Sequence, residues 1–180
     1  MDEAQRVINQ TKKWITEVVV GCNFCPFAAK EIRQDTIHYQ VDRSLTMPAS
    51  LQSLLHEFIR LDSEPQIETI LLIFPDAFQQ FEDYLDLVEL SEKLLKQEKY
   101  EGVYQLASFH PLYCFANAPA DDAANYTNRS IYPMLHILRE ASIDAALLHY
   151  AEPENIPERN MHFAREKGEI YMRMLRDSCI

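Results

Sequence analysis

The spacing of apolar residues along the chain predicts three long amphipathic helices. In residues 3–20, 48–61 and 77–99, Val, Ile, Leu and Phe recur at the three- and four-residue intervals of one helix face. The first of these segments stops at Gly21, and glycine is typical of the position just after a helix, where the backbone turns left-handed. A strand over residues 15–20 is the alternative for the end of that segment.

Between these helices the pattern predicts three strands. Residues 36–41 alternate between apolar and polar side chains, and residues 102–109 carry a further strand. Residues 67–75 form a nearly continuous apolar run that ends in proline, which is typical of a strand buried on both faces. This order predicts an α/β (or α+β) fold, with a small three-stranded sheet, crossover helices, and N- and C-terminal helices packed on it. A ferredoxin-like antiparallel arrangement is the alternative.

The last part of the chain begins with a long polar loop and then returns to helix. Residues 110–130 are rich in turn-forming residues, and loops of this length are often functional. Helices are predicted at residues 131–141 and 144–151, and a final helix begins near Pro157.

Composition limits the kinds of partner that the protein is expected to have. Its 180 residues, 47% of them apolar, predict one domain spanning residues 1–180 with a core that needs no disulfides. The net charge of −11 disfavours nucleic acid and anionic membranes as partners. The N-terminal residues lack the basic and apolar regions of a signal peptide. We therefore expect a cytoplasmic protein whose four cysteines are free thiols or ligands.

The segment GCNFCPFAAK, at residues 21–30, contains the first candidate for chemistry. Proline is favoured at the first position of a helix, so Pro26 predicts a short helix with Cys25 as its N-cap. The helix dipole and free backbone N–H groups would then favour the nucleophilic thiolate of Cys25. Two alternatives stay open, a small buried side chain and a redox pair with Cys22.

His110 is the second candidate, because it follows the third predicted strand. Ligands gather at the carboxyl ends of strands in open α/β sheets, and histidine is a suitable general base near neutral pH. We therefore predict that His110 is the base for Cys25. The alternative is a structural histidine that packs against Pro111 and makes one backbone hydrogen bond.

Four side chains could instead bind a metal ion without turnover. Cysteine and histidine at these spacings are the ligands that zinc prefers, and zinc is the cofactor that this set would hold. The set is Cys22, Cys25, His110 and Cys114.

The polar loop also contains a candidate binding site for a small anion. Arg129 supplies a guanidinium, and Asn128 and Ser130 stand beside it immediately before a predicted helix, whose N–H groups would add positive charge. Asn125 lies nearby and completes the set. N-capping is the alternative role for Ser130, and bracing of the loop is the alternative for the two asparagines.

Several blocks of the sequence together resemble one known family. They are NFCPFA around Cys25, FHPLYCF around His110, and NYTNRSIYPMLHILREAS at residues 125–142. On these blocks the chain is similar to the bacterial domain-of-unknown-function family 1415 over nearly its whole length. Cys22 and Cys114 depart from the pattern of that family, which argues against the redox pair and the zinc site. The family supplies no activity that can be carried over to this chain, so the resemblance implies no reaction.

Three functional hypotheses follow. The leading one is a cytoplasmic enzyme that acts on a small anionic metabolite, with Cys25 as nucleophile or redox-active thiol, His110 as base and Arg129 as anion ligand. The second is a metal-binding or ligand-sensing module without turnover. The third is an interaction scaffold that docks through the acidic helix at residues 77–99.

Overall fold

A computed structural model describes residues 2–148, 150 and 152–180 of the chain. Helices account for most of the regular structure, and the α-helices among the described residues are α1 (Glu3–Trp14), α2 (Ala28–Gln34), α3 (Met47–Ser63), α4 (Phe81–Gln97), α5 (Glu140–Leu147), α6 (Ile156–Lys167) and α7 (Glu169–Asp177). A π-helical turn, Ile15–Val20, continues α1, and short 3-10 turns lie at Ala123–Thr127 and Pro153–Asn155. None of the described helices is both long and apolar enough to cross a bilayer.

Four strands form one mixed sheet in the order β1-β2-β4-β3. Strands β1 and β2 pair in parallel across the crossover helix α3, whereas β4 lies antiparallel to both β2 and β3. The strands are β1 (Ile37–Val41), β2 (Thr69–Ile73), β3 (Tyr104–Phe109) and β4 (Met134–Arg139). The α/β class predicted from the sequence is confirmed, but neither the three-stranded layer nor the ferredoxin-like alternative describes this strand order.

The fourth strand corrects the helix that the sequence predicted at residues 131–141. Strand β4 lies between β2 and β3, with Met134 in the core on one face of the sheet and Leu135 and Ile137 in the core on the other. Because both faces carry buried apolar residues, β4 lacks the alternation by which a half-exposed strand is recognised. Met134, Leu135, Ile137 and Leu138 satisfy the spacing of a helix equally well. The apolar pattern alone could not separate the two structures.

The sheet has a separate apolar core on each face, as the alternating side chains of β2 show. Leu71 and Ile73 pack on the face that carries α1, α6 and α7, which we call the α1 face. Ile70 and Leu72 pack on the opposite face, against α3 and α4, which we call the α4 face. The predicted packing of the terminal helices on the sheet thus occurs on one face only.

The remaining predicted helices are present with changed ends. The segments at residues 48–61 and 77–99 are α3 and α4. The segment at residues 144–151 corresponds to α5, which begins earlier, while its positions 149 and 151 lie outside the described residues. The final helix is divided into α6 and α7 at Gly168, whose φ of 85° interrupts the helix.

The chain between α1 and α2 corrects two predictions about Gly21 and Cys25. Gly21 has right-handed backbone angles, φ −59° and ψ −37°, so it is not a left-handed C′ residue. Helix α2 begins at Ala28 with Phe27 as its N-cap, so Cys25 lies two residues before the cap position. The π-helical turn also replaces the strand considered for residues 15–20.

Candidate functional site

A cavity of about 630 Å³ lies on the α1 face of the sheet. The sheet forms its base, and α1 with its π-helical turn, the segment leading into α2, and α5 form its walls. Most of the lining is apolar: Trp14, Ile15, Val19, Phe27, Ala28, Ile37, Leu71, Phe109, Leu138, Ala141, Ile143, Ala145 and Ala146. The polar lining residues are Cys25, Lys30, Glu31, Glu68, Thr69, His136, Arg139 and Ser142. Hence the cavity is an apolar space with few polar groups.

Two neighbouring strands place a threonine and a histidine together in the base of the cavity. Thr69 opens β2 and His136 lies in the middle of β4, with both side chains on the α1 face because residues two apart share a face. Oγ1 of Thr69 lies 2.6 Å from Nε2 of His136. The same hydroxyl donates a hydrogen bond of 2.6 Å to the carbonyl oxygen of Ile137.

The imidazole of His136 is neutral at physiological pH. Burial disfavours the charged form and lowers the pKa of His136 to about 4. Desolvation is the cause of this shift, and no charged side chain contributes to it. His136 is therefore a hydrogen-bonding group of the cavity rather than a positive charge.

Cys25 contributes a thiol to the cavity wall, on the side of α2. Burial raises the pKa of this thiol, while hydrogen bonds from the backbone N–H groups of Phe27 and Ala28 lower it by less. The nearby carboxylate of Glu31 raises the pKa further. Cys25 is consequently a protonated thiol at neutral pH, because a thiol with an unshifted pKa is already mostly protonated there.

Trp14 closes one side of the cavity at the end of α1. Its indole is 1% exposed and meets the ring of Phe109 edge-on, with the ring centroids 5.4 Å apart. The π-helical turn follows it directly, and such turns are frequent at functional sites. Trp14 lines this cavity and is the only tryptophan in the sequence, so tryptophan fluorescence reports on this one position.

Charged side chains at the cavity rim near α2 and α5 are already engaged with protein groups. Nζ of Lys30 lies 3.5 Å from the carboxylate of Glu31. That carboxylate also accepts a 2.5 Å hydrogen bond from Thr36, and Glu68 accepts one of 2.7 Å from Ser142. Lys30 thus partly compensates the charge of Glu31, whereas the hydroxyl of Ser142 orients Glu68 without neutralising it.

Arg139 is held in the same way, at the end of β4. Its guanidinium donates to the carbonyl oxygens of Leu61 in the last turn of α3 and of Glu64 and Ile67 in the loop that leads to β2. The group also lies over the ring of Tyr104, 5.9 Å from its centroid. Arg139 thus joins α3 to the sheet.

His110 lies on the other side of the sheet from Cys25. The imidazole is fully buried and packs against the rings of Phe81 and Tyr84 of α4, with centroids 5.2 and 4.9 Å away. Nδ1 of His110 accepts a 2.9 Å hydrogen bond from the N–H of Leu112. Nε2 lies 2.8 Å from the carbonyl oxygen of Phe78, so both ring nitrogens have backbone partners.

The side chains predicted to bind an anion make hydrogen bonds with the backbone of their own loop and of the segments beside it. Arg129 donates to the carbonyl oxygens of Tyr113 and Ala120, and its guanidinium lies over the ring of Tyr126. Because Ser130 is followed by strand β4, the helix N-terminus expected beside Arg129 does not exist.

The asparagines and the serine of that set also bond to the backbone around them. Asn125 is fully buried, accepts from the N–H of Phe115 and donates to the carbonyl oxygens of Pro119 and Ala120. Asn128 donates to the carbonyl oxygen of Ser108. Ser130 donates to the carbonyl oxygen of Tyr132.

The four predicted metal ligands are not gathered into one site. His110 packs on the α4 face, whereas Cys25 lines the cavity on the α1 face and Cys22 packs against the core of that face. Cys114 points its sulfur at the carbonyl oxygens of Phe115 and Ala118. Within the described part of the chain, no three His, Cys, Asp or Glu side chains are grouped so that they could bind a metal.

Of the predicted site residues, only Cys25 lines the cavity, and the sequence analysis missed the residues that accompany it. Trp14 and His136 have the spacing of ordinary core residues, and Thr69 opens an apolar run. The detectable signal was two polar side chains, Thr69 and His136, inside segments that are otherwise apolar. Once β4 is recognised as the neighbour of β2, that signal places them side by side.

Comparison with known proteins gives one match. The chain matches the sequence profile of a family described as "Protein of unknown function (DUF1415)" over residues 6–174. No curated protein and no solved structure matches the chain.

Proposed function

Because the chain belongs to the DUF1415 family, whose description gives no activity, we propose a function from the cavity alone: it binds a small, largely apolar molecule. Ligand pockets in proteins commonly have volumes of roughly 300–1,000 Å³, with apolar walls and a few well-placed polar groups. The cavity, with its volume of about 630 Å³, fits this description.

The exposure of helix α5 is the observation that supports this proposal most directly. None of the residues of α5 is buried, although Ala141, Ile143, Ala145 and Ala146 face the cavity. A helix of eight residues is too short to be stable in water by itself and depends on packing of an apolar face. A ligand in the cavity would supply that packing.

The thiol of Cys25 would touch such a ligand. Chemistry at this thiol is the second candidate function, since Cys25 lies in the wall and two backbone N–H groups point at its sulfur. His110 cannot be its base, because His110 is bound to the backbone on the other face of the sheet. Because burial raises the pKa of Cys25, little of the nucleophilic thiolate is present near neutral pH, and we place binding without turnover first.

The native protein can test binding through its single tryptophan. N-phenyl-1-naphthylamine, an uncharged apolar probe that accepts energy from tryptophan, should quench Trp14 fluorescence in a saturable titration with one site per chain. Ala146→Phe, which fills the cavity from α5, should weaken binding at least tenfold. Leu148→Phe is the matched control, because Leu148 is 84% exposed and does not line the cavity.

Alkylation of the cysteines provides an independent test of where the probe binds. Bound probe should slow iodoacetamide labelling of Cys25 but not of Cys22, which lies three residues away and outside the cavity lining. Peptide mass spectrometry separates the two sites in one sample after cleavage between them at Phe24. Non-saturable binding, or equal protection of both cysteines, would overturn the proposed function.

A further inference from the structure

The hydroxyl of Thr69 fixes which nitrogen of His136 carries the proton. A hydroxyl has one hydrogen to donate, and the carbonyl oxygen of Ile137, 2.6 Å away, has none. The hydroxyl hydrogen therefore lies between Thr69 and Ile137. The contact of 2.6 Å between Oγ1 of Thr69 and Nε2 of His136 then requires the hydrogen of Nε2.

This arrangement leaves a lone pair on the other ring nitrogen, Nδ1. A neutral imidazole carries one N–H, so with Nε2 protonated Nδ1 is an acceptor. No described residue forms a hydrogen bond to Nδ1 of His136. In the part of the chain that the structure describes, the buried side-chain atoms without a hydrogen-bond partner are Trp14 Nε1, His38 Nε2, Asp42 Oδ2, Ser50 Oγ and Ser91 Oγ. Nδ1 of His136 is not among them, so it is accessible from the cavity that its ring lines.

We propose that the cavity selects uncharged ligands that donate a hydrogen bond from an O–H or N–H group to Nδ1 of His136. This inference rests on the proposed function and specifies its ligand. Phenols, alcohols and N–H heteroaromatic compounds with an apolar body belong to this class. An ether or ketone in the same place has only lone pairs to offer, so it cannot form a hydrogen bond with the lone pair of Nδ1. Both acceptors would then be buried without a donor, which is unfavourable.

Charged head groups are disfavoured by the lining of the cavity. Hydrogen bonds from Thr36 and Ser142 orient Glu31 and Glu68 but leave their negative charges in place, while the guanidinium of Arg139 is turned to backbone carbonyl oxygens. A carboxylate would meet these negative charges, and a charged group of either sign would lose its water in a mostly apolar space, which is unfavourable.

A matched series of naphthalenes tests the ligand class. 2-Naphthol donates a hydrogen bond, 2-methoxynaphthalene only accepts one, and 2-naphthoate is an anion, while the apolar body is the same. Displacement of N-phenyl-1-naphthylamine should show 2-naphthol binding at least tenfold more tightly than the other two. His136→Phe, which keeps a ring but removes the acceptor, should abolish the preference for 2-naphthol over 2-methoxynaphthalene.

A second variant and a spectrum keep the test decisive if His136→Phe does not fold. Thr69→Val removes the group that fixes the tautomer, so the preference for 2-naphthol should fall while 2-methoxynaphthalene gains affinity. Long-range ¹⁵N–¹H NMR of the unliganded native protein should show an unprotonated Nδ1 on His136. A protonated Nδ1, or equal affinities for the three compounds, would refute the ligand class.

The failure of this inference can be told apart from the failure of the proposed function. If N-phenyl-1-naphthylamine binds saturably but the series shows no preference, the cavity binds apolar molecules and only the ligand class is wrong. If no compound binds saturably, both are wrong.

Discussion

Nε2 of His110 lies 2.8 Å from the carbonyl oxygen of Phe78, a residue in the left-handed backbone conformation with φ of 57°. Since Nδ1 accepts from the N–H of Leu112, the hydrogen of the neutral ring is on Nε2 and is donated to Phe78. His110 thereby joins the loop before α4 to the end of β3. Its geometry is that of a structural histidine with no nitrogen left for proton transfer.

Replacement of His110 should therefore cost stability. His110→Ala removes two backbone contacts and the packing against Phe81 and Tyr84, so the free energy of unfolding should fall by about 2–4 kcal/mol. Urea denaturation followed by circular dichroism measures this change. His56→Ala, at an exposed position of α3, is the control and should change stability by less than about 0.5 kcal/mol. Equal losses in the two variants would contradict the structural role.

The reactivity of Cys25 should follow burial and be independent of His110. Burial raises the pKa of Cys25, so its rate of alkylation should rise with pH around a midpoint above the value of roughly 8.5 of a free thiol. His110→Asn, which retains an acceptor for Leu112, should leave that midpoint unchanged because the imidazole lies on the opposite face of the sheet. Stopped-flow alkylation with site-resolved mass spectrometry provides the profile. A midpoint below 8.5, or a shift in the His110→Asn variant, would restore the pairing of thiol and base.

The parts of the fold that the sequence predicted are those whose burial leaves a one-sided or continuous pattern. Helices α3 and α4 each expose one face, and β2 is an apolar run too short to be a typical helix and ended by proline. Strand β4 escaped prediction because it pairs with β2 and β3, which lie 61 or more and 25 or more residues earlier in the chain. Such pairings leave no local trace in the pattern.

Only the part of the candidate site that depends on local sequence could be predicted. Cys25 was found because Pro26 predicts the start of a helix nearby, although the helix begins at Ala28. The contacts of His110 and Arg129 could not be predicted, because their backbone partners, such as Phe78 and Tyr113, are set by tertiary structure. Cytoplasmic location, a single domain and the absence of nucleic-acid partners stay predictions.

The stability of the protein should depend on pH through His136. The pKa of His136 is about 4 in the folded protein and about 6.5 in the unfolded chain, so below pH 6.5 the unfolded chain takes up a proton that the folded protein does not. The stability that the neutral, buried His136 contributes is therefore fully present above pH 6.5, and it is lost as the pH falls toward 4. Between pH 7 and pH 5 the loss should be about 2 kcal/mol.

The variant His136→Gln isolates this contribution, because glutamine can donate to Thr69 but does not titrate. Urea denaturation of both proteins at several pH values gives the difference in their free energies of unfolding. The native protein should lose about 2 kcal/mol more than the variant between pH 7 and pH 5. Parallel curves would show that His136 titrates normally and that the base of the cavity is open to bulk water.

Gly21 should be required for the π-helical turn that shapes the cavity. A Cβ atom at this position would lie 2.2 Å from the carbonyl oxygen of Glu17, a backbone atom that cannot move without unwinding the turn. The turn carries Ile15 and Val19 into the cavity wall, and the N–H groups of Gly21 and Cys22 donate to the carbonyl oxygens of Thr16 and Val18 within it. Gly21→Ala should therefore reduce the free energy of unfolding by about 1–3 kcal/mol.

Gly102→Ala separates this steric cost from the ordinary cost of replacing glycine. Gly102 has φ of 78° and no atom within 4 Å of an added Cβ, so only its backbone conformation resists substitution, at about 1 kcal/mol. Because Gly21 has φ of −59°, the loss in Gly21→Ala arises from the contact with Glu17 alone. The Gly21→Ala substitution should also weaken binding of N-phenyl-1-naphthylamine, whereas Gly102→Ala should leave that binding unchanged. If Gly21→Ala instead has native stability and native affinity for the probe, the π-helical turn does not shape the cavity.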